Sequence, residues 1–458
     1  MTSTAFSSLP LSPDFLANLE SLQYKEMTPI QAQSLPVIFE GKDVKAQAKT
    51  GSGKTAAFGI GLLNKLRPQD FITQALVLCP TRELADQVSK ELRRLARPIT
   101  NIKILTLCGG TPIGPQFGSL EQHSPHVVVG TPGRILKHCQ KEKLNLDDVA
   151  TLVLDEADRM LDMGFLEDIT AIINYTPKQR QTLLFSATYP EEIEHISQSV
   201  QNSPVDIHVE SLHDDSVIRQ QFYEVDRGHK TEALISLLKK HQPESCVVFC
   251  QRKQQCQELA DELRQKGFHA LALHGDLEQK ERDRVLVRFS NKSIQVLIAT
   301  DVAARGLDIK DLAVVVNYEI SPDPEIYIHR IGRTGRAGKE GLALSLFQAS
   351  EIRKVQAIEA YLEKPLLFKS IPPSTDSQTP KPGMVTLIID SGRKNKMRAG
   401  DILGALTANK VIAGNQIGKI DIFDFVSYVA VEREIAKGAL AILSEGKIKG
   451  RKVHVRRM

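Results

Sequence analysis

Short apolar runs recur along roughly the first 350 residues, and segments with helical periodicity separate one run from the next. Such runs are typical of parallel strands that are buried on both faces of a sheet. The first block contains runs at 76–78, 127–129, 152–154 and 183–185, and the second contains runs at 247–249, 271–273, 296–298, 314–316 and 344–346. The pattern predicts two α/β domains in tandem, joined by the polar stretch 210–216.

The chain after residue 370 has a different organisation. Residues 371–383 are rich in Pro, Ser and Thr and lack apolar periodicity, which is typical of an extended linker. Beyond the linker, the pattern predicts in order a strand (385–389), a helix (402–406), two strands (417–422 and 426–431), a helix (435–443) and a strand (453–455). A βαββαβ order is typical of a small α+β domain of the ferredoxin-like or RNA-recognition-motif (RRM) type. The predicted domains are therefore 1–209, 217–370 and 384–458, with the linker at 371–383.

The composition indicates a globular protein with an appendage for a polyanion. Of 458 residues, 41% are hydrophobic, and no apolar run approaches the ~20 residues that span a bilayer. The first residues lack a secretory pattern, so we expect a cytoplasmic protein that does not enter a membrane. The net charge is +4, but residues 384–458 carry 14 Lys and Arg against 7 Asp and Glu. A basic end on a mildly acidic body is typical of polyanion binding.

The six cysteines do not have the spacing of a metal site. None forms a Cys-x-x-Cys pair, and no His lies at zinc-finger spacing from them. Cys246 and Cys250 lie in an apolar run that predicts a buried strand. We therefore interpret the cysteines as small buried hydrophobic residues rather than metal ligands, and we expect no zinc.

Residues 48–55 have the composition of a phosphate-binding loop. Gly51 and Gly53 allow backbone N–H groups to converge on phosphate oxygens, while Lys54 supplies positive charge and Thr55 a hydroxyl for magnesium. The loop follows a predicted strand (43–47) and precedes a predicted helix (56–66), as such a loop requires. A surface turn rich in Gly, Ser and Thr is the alternative interpretation. The expected nucleotide-binding residues are Ala48, Lys49, Thr50, Gly51, Ser52, Gly53, Lys54 and Thr55.

Two carboxylates follow the apolar run 152–154. Asp155 and Glu156 are predicted to lie at the carboxyl end of a strand, where open α/β sheets bind their ligands. Asp155 is expected to hold Mg²⁺ together with Thr55, and Glu156 to orient and deprotonate the attacking water. A solvated helix N-terminus is the alternative interpretation. Together with the phosphate loop, these residues predict a protein driven by a nucleoside triphosphate.

After the phosphate loop, the chain carries in order the segments 80–85 (PTRELA), 109–110 (GG), 131–134 (TPGR), 155–158 (DEAD), 186–188 (SAT), 299–308 (ATDVAARGLD) and 329–336 (HRIGRTGR). This ordered set of motifs, over roughly residues 5–368, is similar to that of the DEAD-box RNA helicase family. The resemblance implies two RecA-like domains, ATP with Mg²⁺ as the bound nucleotide, and RNA as the partner.

The resemblance also implies how adenine is selected. Phe6, Tyr24, Thr28 and Gln31 match the family's adenine-reading element, in which an aromatic ring stacks on the base and a glutamine amide pairs with the adenine edge. Thr28 precedes a proline and therefore also predicts a helix N-terminus, which is compatible with that role. Gln23 stands where the family usually has Gly, so the local backbone there departs from the family pattern.

Residues of the second domain are expected to complete the ATP site. Arg333 and Arg336 match the family's arginine fingers, which neutralise charge on the transferring phosphate, and Asp308 matches an aspartate that contacts the ribose. The spacing of Arg330, Arg333 and Arg336 predicts one helix face, and a solvated basic face is the alternative interpretation. Hydrolysis is therefore expected to require closure of the two domains. The residues expected to couple them are Asp158, Ser186, Thr188 and His329.

The RNA contacts implied by the resemblance are hydroxyl, arginine and glycine residues on loops, which suit binding to the sugar-phosphate backbone. They are Thr81, Arg82, Gly110, Thr131 and Arg134 in the first domain, and Arg252, Gly275, Gln279, Arg282 and Thr300 in the second. The segment 274–276 could equally be a simple turn that ends a strand. The implied mechanism is local: ATP and RNA close the cleft, the bound strand bends, a short duplex separates, and hydrolysis reopens the cleft.

Choice of the RNA target is assigned to the C-terminal domain, because a core that grips the backbone does not read sequence. Its first predicted strand lacks aromatics and its third has Tyr428 without a glycine-led aromatic run, so stacking on the sheet face is not expected. A basic edge or loop surface is expected to bind RNA, and a basic tail that only adds affinity is the alternative. The surface residues are Lys394, Lys396, Arg398, Lys447, Lys449 and Arg451.

Two helicase domains, a Pro-rich linker and an atypical RRM resemble the bacterial DEAD-box protein A group, including segments 396–406 and 417–420. This implies a helicase directed to a hairpin of large-subunit (23S) ribosomal RNA, which acts on large-subunit precursor particles as a monomer or weak dimer. An ATP-switched RNA clamp without unwinding, or a different RNA target, remains the alternative. A DNA-translocating helicase fits less well, because Phe6, Thr28 and Gln31 match the DEAD-box element.

Overall fold

The computed structural model describes residues 4–48, 51–189, 191–209, 218–304, 312–335, 340–373 and 379–458. These residues form two compact units, one within residues 4–209 and one within residues 218–458. Within the described ranges, no helix has the length and apolar character needed to cross a membrane. The domain boundaries stay predictions, and the predicted joint at 210–216 lies outside the described residues.

The first unit is built on seven parallel strands: β1 (Val44–Gln47), β2 (Ala75–Leu78), β3 (Ile104–Leu107), β4 (Val127–Gly130), β5 (Thr151–Asp155), β6 (Gln181–Ser186) and β7 (Val205–His208). Their order in the sheet is β3-β4-β2-β5-β6-β1-β7. The four predicted runs all lie in strands that are buried along their whole length, which confirms a parallel sheet covered on both faces. The edge strands β3 and β7 are partly exposed and therefore lack a continuous apolar run.

Helices cover both faces of this sheet: α1 (Pro13–Ser21), α2 (Pro29–Phe39), α3 (Lys54–Lys65), α4 (Arg82–Leu95), α5 (Gly114–Gln122), α6 (Pro132–Gln140), α7 (Ala157–Asp162), α8 (Leu166–Ile173) and α9 (Glu191–Val200). Helix α4 shows how the sequence specifies them. The hydroxyl of Thr81 accepts a hydrogen bond from the N–H of Leu84 and caps the helix. Buried residues then recur along one stripe, at Leu84, Val88, Leu92 and Leu95.

The second unit contains a sheet with seven strands: β8 (Ile218–Glu224), β9 (Cys246–Cys250), β10 (Ala270–Leu273), β11 (Val296–Thr300), β12 (Val314–Asn317), β13 (Gly341–Phe347) and β14 (Phe368–Lys369). Their order is β10-β11-β9-β12-β13-β8-β14, and the paired strands are parallel. The five predicted runs lie in β9 to β13, so a second α/β sheet is confirmed. All six cysteines of the chain are free and buried, as expected.

The helices of this second sheet are α10 (Lys230–His241), α11 (Lys253–Gln265), α12 (Gln279–Ser290), α13 (Asp301–Ala304), α14 (Pro324–Ile331) and α15 (Ile352–Leu362). One sequence-based expectation is wrong here. Helix α14 ends at Ile331, and Gly332 caps it, so Arg333 lies beyond the helix rather than on its face. The spacing of three residues did not reveal this end, because the cap depends on backbone bonds to Gly332.

The chain ends in an antiparallel sheet of four strands with two helices: β15 (Met384–Ile389), α16 (Ala399–Thr407), β16 (Ile417–Ile422), β17 (Ser427–Glu432), α17 (Ala436–Glu445) and β18 (Val455–Arg457). The strand order is β16-β17-β15-β18. The predicted βαββαβ order is confirmed, although β18 begins two residues later than predicted. One face of the sheet packs on the two helices around a core that includes Leu387, Val429 and Leu443.

The other face of this sheet packs against the second α/β domain of the same unit. Ile388 and Tyr428 form a cluster with Val287 of α12. At the centre, the hydroxyl of Thr386 accepts a hydrogen bond from the Asn291 amide nitrogen (2.9 Å) and shares one with the Ser293 hydroxyl (2.6 Å). A sheet face that carries bases in many RRM domains is therefore covered here.

The fold predicts a stabilising substitution at Gln23, which ends α1 in a left-handed conformation with a φ of 67°. Glycine adopts this conformation without the Cβ clash that costs other residues about 1–2 kcal/mol. We expect Gln23→Gly to raise the free energy of unfolding by about 1 kcal/mol, measured by chemical denaturation. The control is Gln33→Gly at an exposed position inside α2, which we expect to lower it by about 1 kcal/mol. Equal effects of the two changes would show that Gln23 carries no strain.

Candidate nucleotide and RNA sites

The glycine-rich segment connects β1 to α3, as the motif requires. Gly51 and Gly53 have φ values of 88° and 97°, a conformation that glycine adopts most readily. Lys54 is the first residue of α3, so the N-terminal N–H groups of the helix and the lysine side chain lie at the same end. The N–H of Ala48 donates to the Ser186 carbonyl (3.0 Å) and joins the loop to β6. Lys49 and Thr50 lie outside the described residues.

Gln31 joins the start of α2 to this loop. Its Oε1 accepts a hydrogen bond from the Thr28 N–H (3.0 Å), and its Nε2 donates to the Gly53 carbonyl (3.1 Å). A Cβ on Gly53 would collide with the Gln31 amide, which is a second reason for glycine there. The sequence-predicted adenine reader is therefore in contact with the phosphate loop.

The two aromatic residues of the predicted adenine element pack together. Phe6 and Tyr24 make an edge contact with centroids 6.1 Å apart, and Phe6 is 5% exposed. The Tyr24 hydroxyl donates to the Glu91 carboxylate (2.6 Å) on α4. Burial, and then Glu91, raise the pKa of Tyr24. Tyr24 thus attaches the N-terminal segment to α4, while stacking of Phe6 on a base stays a prediction.

Asp155 and Glu156 lie at the carboxyl end of β5, near the middle of the sheet. Glu156 is in a left-handed conformation (φ 55°) that turns the chain into α7, and such strain is found often at functional sites. Its carboxylate forms a buried ion pair with Arg159. Burial raises the pKa of Asp155 to about 7, with Lys54 opposing the shift and Glu156 adding to it. A cation beside Asp155 would therefore stabilise its charged form.

Several buried polar atoms near the carboxyl end of the strands of the first sheet have no hydrogen-bond partner within the described part of the chain: Ser52 Oγ, Lys54 Nζ, Asp155 Oδ1 and Asp158 Oδ1. Buried polar groups normally have hydrogen-bond partners, so these four atoms are available to a bound ligand. An ammonium group suits phosphate oxygens, and a carboxylate suits Mg²⁺, which often binds one or two carboxylates plus substrate phosphates. The residues present therefore fit a nucleoside triphosphate and Mg²⁺.

Asp158 joins α7 to the segment that follows β6. Its Oδ2 accepts hydrogen bonds from the N–H groups of Ala187 and Thr188 and from the Thr188 hydroxyl, each at 3.3 Å. Its own N–H donates to the Ser186 hydroxyl (3.2 Å). Three of the predicted coupling residues are thus in contact. The fourth, His329, lies on α14 of the second unit.

The five predicted RNA residues of the first unit follow parallel strands. Thr81 and Thr131 are the N-cap residues of α4 and α6, the helices that follow β2 and β4. The Arg82 guanidinium packs against Gly110, where a Cβ would collide with it. Gly110 also has a φ of 71°, so glycine is required there for two reasons.

A network around the fifth residue, Arg134, was not predicted. Gln116 Oε1 accepts hydrogen bonds from Arg134 (2.9 Å) and from His138 Nε2 (2.8 Å), and its Nε2 donates to the Cys108 carbonyl (3.1 Å) and the Thr111 hydroxyl (3.1 Å). Because the Gln116 oxygen can only accept, the proton of neutral His138 lies on Nε2. No local pattern in the sequence relates residues this far apart.

In the second unit, the predicted RNA residues lie on loops and helix starts. Arg252 is the N-cap residue of α11, Gln279 and Arg282 lie in the first turn of α12, and Thr300 ends β11. Gly275 lies in a turn that follows β10, and its RNA role stays a prediction.

The arginines of the last helicase motif differ in their surroundings. Arg330 is 2% exposed and bonds Asp301 through two nitrogens (2.6 and 2.7 Å), with further bonds to Asn317 and the Glu319 carbonyl. The alternative of a solvated basic face is therefore wrong for Arg330, which has a structural role. Arg333 is buried too. Asp308 and Arg336 lie outside the described residues.

The basic residues of the C-terminal domain come from two segments that meet. Lys449 Nζ donates to the Lys396 carbonyl (2.9 Å) and lies 3.7 Å from the Asp401 carboxylate. Arg398 is the N-cap residue of α16 and lies next to them. All six predicted residues are exposed: Lys394, Lys396, Arg398, Lys447, Lys449 and Arg451. They form one surface, called here the basic loop surface.

Two parallel α/β sheets in tandem, with a phosphate loop and two carboxylates at the carboxyl end of the strands of the first sheet, define a protein that binds a nucleoside triphosphate. Residues 28–196 match the DEAD/DEAH box helicase family, residues 229–338 the helicase conserved C-terminal domain and residues 386–457 the DbpA RNA binding domain. The chain belongs to the DEAD-box ATP-dependent RNA helicases, of the DbpA type.

Comparison with individual proteins agrees with this family. The chain is 55% identical over 454 residues to the ATP-dependent RNA helicase DbpA of Escherichia coli (strain K12), covering 99% of each. It is 45% identical to the DEAD-box ATP-dependent RNA helicase CshA of Geobacillus kaustophilus, over 81% of this chain and 79% of that protein. The structure of S. cerevisiae Dbp5 bound to RNA and ADP BeF3 superposes with a TM-score of 0.74 at 29% identity, over 81% of this chain and 96% of Dbp5.

The network around Arg134 predicts a pH dependence of stability. Burial, and then Arg134, lower the pKa of His138 to about 4. The unfolded chain, with a His pKa of about 6.5, binds this proton first, so stability falls as pH falls from about 6.5 towards 4. We expect His138→Gln to reduce the loss in melting temperature between about pH 7.5 and about pH 5. The exposed His123→Gln is the control, and the same loss in wild type and His138→Gln would contradict the assignment.

Proposed function

We propose that this DEAD-box protein uses ATP to separate short RNA duplexes locally, that its C-terminal domain directs it to a hairpin of 23S ribosomal RNA, and that it acts in the cytoplasm on large-subunit precursor particles. The observation that carries the proposal is its 55% identity, over 99% of both chains, to the ATP-dependent RNA helicase DbpA of E. coli. The match of residues 386–457 to the DbpA RNA binding domain supports the role of the C-terminal domain.

The ATP chemistry is assigned to the carboxyl end of the strands of the first sheet. The backbone of residues 51–53 and Lys54 would hold the phosphates, while Thr55 and Asp155 would hold Mg²⁺, which would neutralise charge on the transferring phosphate. Glu156 takes the proton of the attacking water, and its ion pair with Arg159 fixes the direction of the carboxylate. Gln31, which donates a hydrogen bond to the same loop, would pair with the adenine edge. As the family resemblance implies, the ribose is contacted by Asp308, and charge on the transferring phosphate is neutralised by Arg333 and Arg336.

RNA binding by the core is assigned to the backbone of the RNA. Thr81 and Thr131 lie at helix starts, where hydroxyl and N–H groups suit phosphate oxygens. Arg82 and Arg134 add positive charge beside them, and their positions depend on Gly110 and Gln116. This type of contact does not read bases, so the choice of target rests on the basic loop surface.

Glu156→Gln tests the catalytic assignment. We expect it to bind ATP and RNA but to hydrolyse ATP roughly 10²–10⁴-fold more slowly, because an amide does not accept the proton of water. Single-turnover hydrolysis and nucleotide binding separate the two effects. The exposed Glu167→Gln on α8 is the control and should hydrolyse ATP at the wild-type rate. Turnover of Glu156→Gln near that of wild type would disprove the general-base role.

Charge removal tests the targeting assignment better than deletion, because deletion of the C-terminal domain would also expose Val287 and Asn291. We expect Lys394→Gln with Lys396→Gln to weaken binding of a 23S hairpin fragment and to reduce the salt dependence of that binding by about two counterions. Half-maximal stimulation of ATP hydrolysis should require a higher concentration of the hairpin RNA. The control is Lys437→Gln on α17, an exposed lysine outside the surface. Equal hairpin affinity and equal salt dependence in the double variant and in Lys437→Gln would refute targeting by this surface.

A further inference from the structure

The sheet face of the C-terminal domain has no aromatic side chain available to a base. Tyr428 is the aromatic residue of β17, and it is 2% exposed. Its ring meets Phe423 edge-on at 5.4 Å and packs with Val287 of the neighbouring domain. Thr386 and Ile388 on β15 are covered in the same way. An RNA base that this domain recognises by stacking must therefore be held elsewhere.

One aromatic side chain of the domain lies open to solvent. Phe425, in the turn between β16 and β17, is 71% exposed, which is the highest value for an aromatic residue within the described ranges. Its neighbours in the turn, Phe423 and Val426, pack instead with Tyr428. The turn is closed by a hydrogen bond from the Phe423 N–H to the Val426 carbonyl (2.8 Å), so Phe425 stands at the tip of an ordered turn.

This turn is attached to the basic loop surface. The N–H groups of Arg393 and Lys394 donate to the carbonyls of Phe423 (2.7 Å) and Asp424 (2.8 Å). The Arg393 guanidinium donates to the Ile422 carbonyl (2.9 Å). Gly392 permits the close approach, because a Cβ there would collide with the carbonyls of residues 423 and 424. Phe425 is thus held directly beside Lys394 by backbone bonds rather than by mobile side chains.

We propose that Phe425 is a base-stacking residue, which holds one unpaired base of the RNA whose phosphates the basic loop surface binds. The inference rests on the proposed targeting function and adds a specific subsite to it. An exposed ring next to clustered cations suits a nucleotide, since the cations bind the phosphate and the ring face takes the base. Arg393 and Lys394 lie beside the turn that carries this ring, and a neutral or basic protein partner would gain nothing from their charge, whereas RNA phosphates would.

The chain has no tryptophan, which permits a direct test in the full-length protein. Phe425→Trp places a single indole at the proposed subsite, where stacking on a base should quench its fluorescence. We expect quenching by an RNA hairpin with an unpaired loop and little change with a fully paired duplex of the same stem. The control is Val411→Trp, which places a single indole at a site 74% exposed, beyond the far end of α16. Equal quenching of both indoles, or none at position 425, would overturn the proposal.

Binding of the same hairpin by further variants tests the contribution of the ring. We expect Phe425→Ala to weaken binding by roughly 5- to 150-fold, which is the loss of one stacked base. Phe425→Tyr should restore the affinity, because a tyrosine ring also stacks. The salt dependence should stay as in wild type, because no charge is removed. Wild-type affinity in Phe425→Ala, with Val411→Ala as the matched control, would overturn the subsite and leave a protein contact as the explanation for the exposed ring.

The charge variant separates this inference from the function on which it rests. If Lys394→Gln with Lys396→Gln weakens hairpin binding while Phe425→Ala does not, the targeting surface stands and the stacking subsite is wrong. If neither change weakens binding, the targeting function itself is wrong, and the subsite falls with it.

Discussion

The first unit depends on charged groups that are buried at the carboxyl end of the strands of its parallel sheet. Lys54 and Asp155 are both buried there, each with a polar atom that has no hydrogen-bond partner among the described residues. Removing a charge from water is costly unless it is paired, so this end of the sheet is poised to bind a ligand with both negative charge and a cation. A nucleoside triphosphate with Mg²⁺ would supply both.

Single side chains connect those loops to elements that are distant in sequence. Gln31 connects α2 to Gly53, and Asp158 connects α7 to Thr188 after β6. Gln116 does the same for Arg134, through an oxygen that accepts two hydrogen bonds. In each case a polar group of fixed geometry holds a loop against an element that is distant in sequence.

In the C-terminal domain, the fold class alone would not indicate which surfaces are covered and which are exposed. Its sheet face is occupied by the neighbouring domain, around buried polar contacts between Thr386, Asn291 and Ser293. Such buried hydrogen bonds require a defined orientation, because a displaced partner would leave a polar atom unsatisfied. The loops that carry Lys394, Lys449 and Phe425 are exposed, and these are the groups to which we assign RNA binding.

The sequence by itself determined the parallel sheets, the βαββαβ domain, the phosphate loop and the family, because these depend on local apolar runs and on short ordered motifs. Tertiary structure decided what depends on contacts between distant residues. It ended α14 before Arg333, buried Arg330 against Asp301, and placed His138 behind Arg134. It also covered Tyr428 and exposed Phe425, two aromatics three residues apart. Burial is a property of the neighbours that a residue meets after folding, and no local pattern records them.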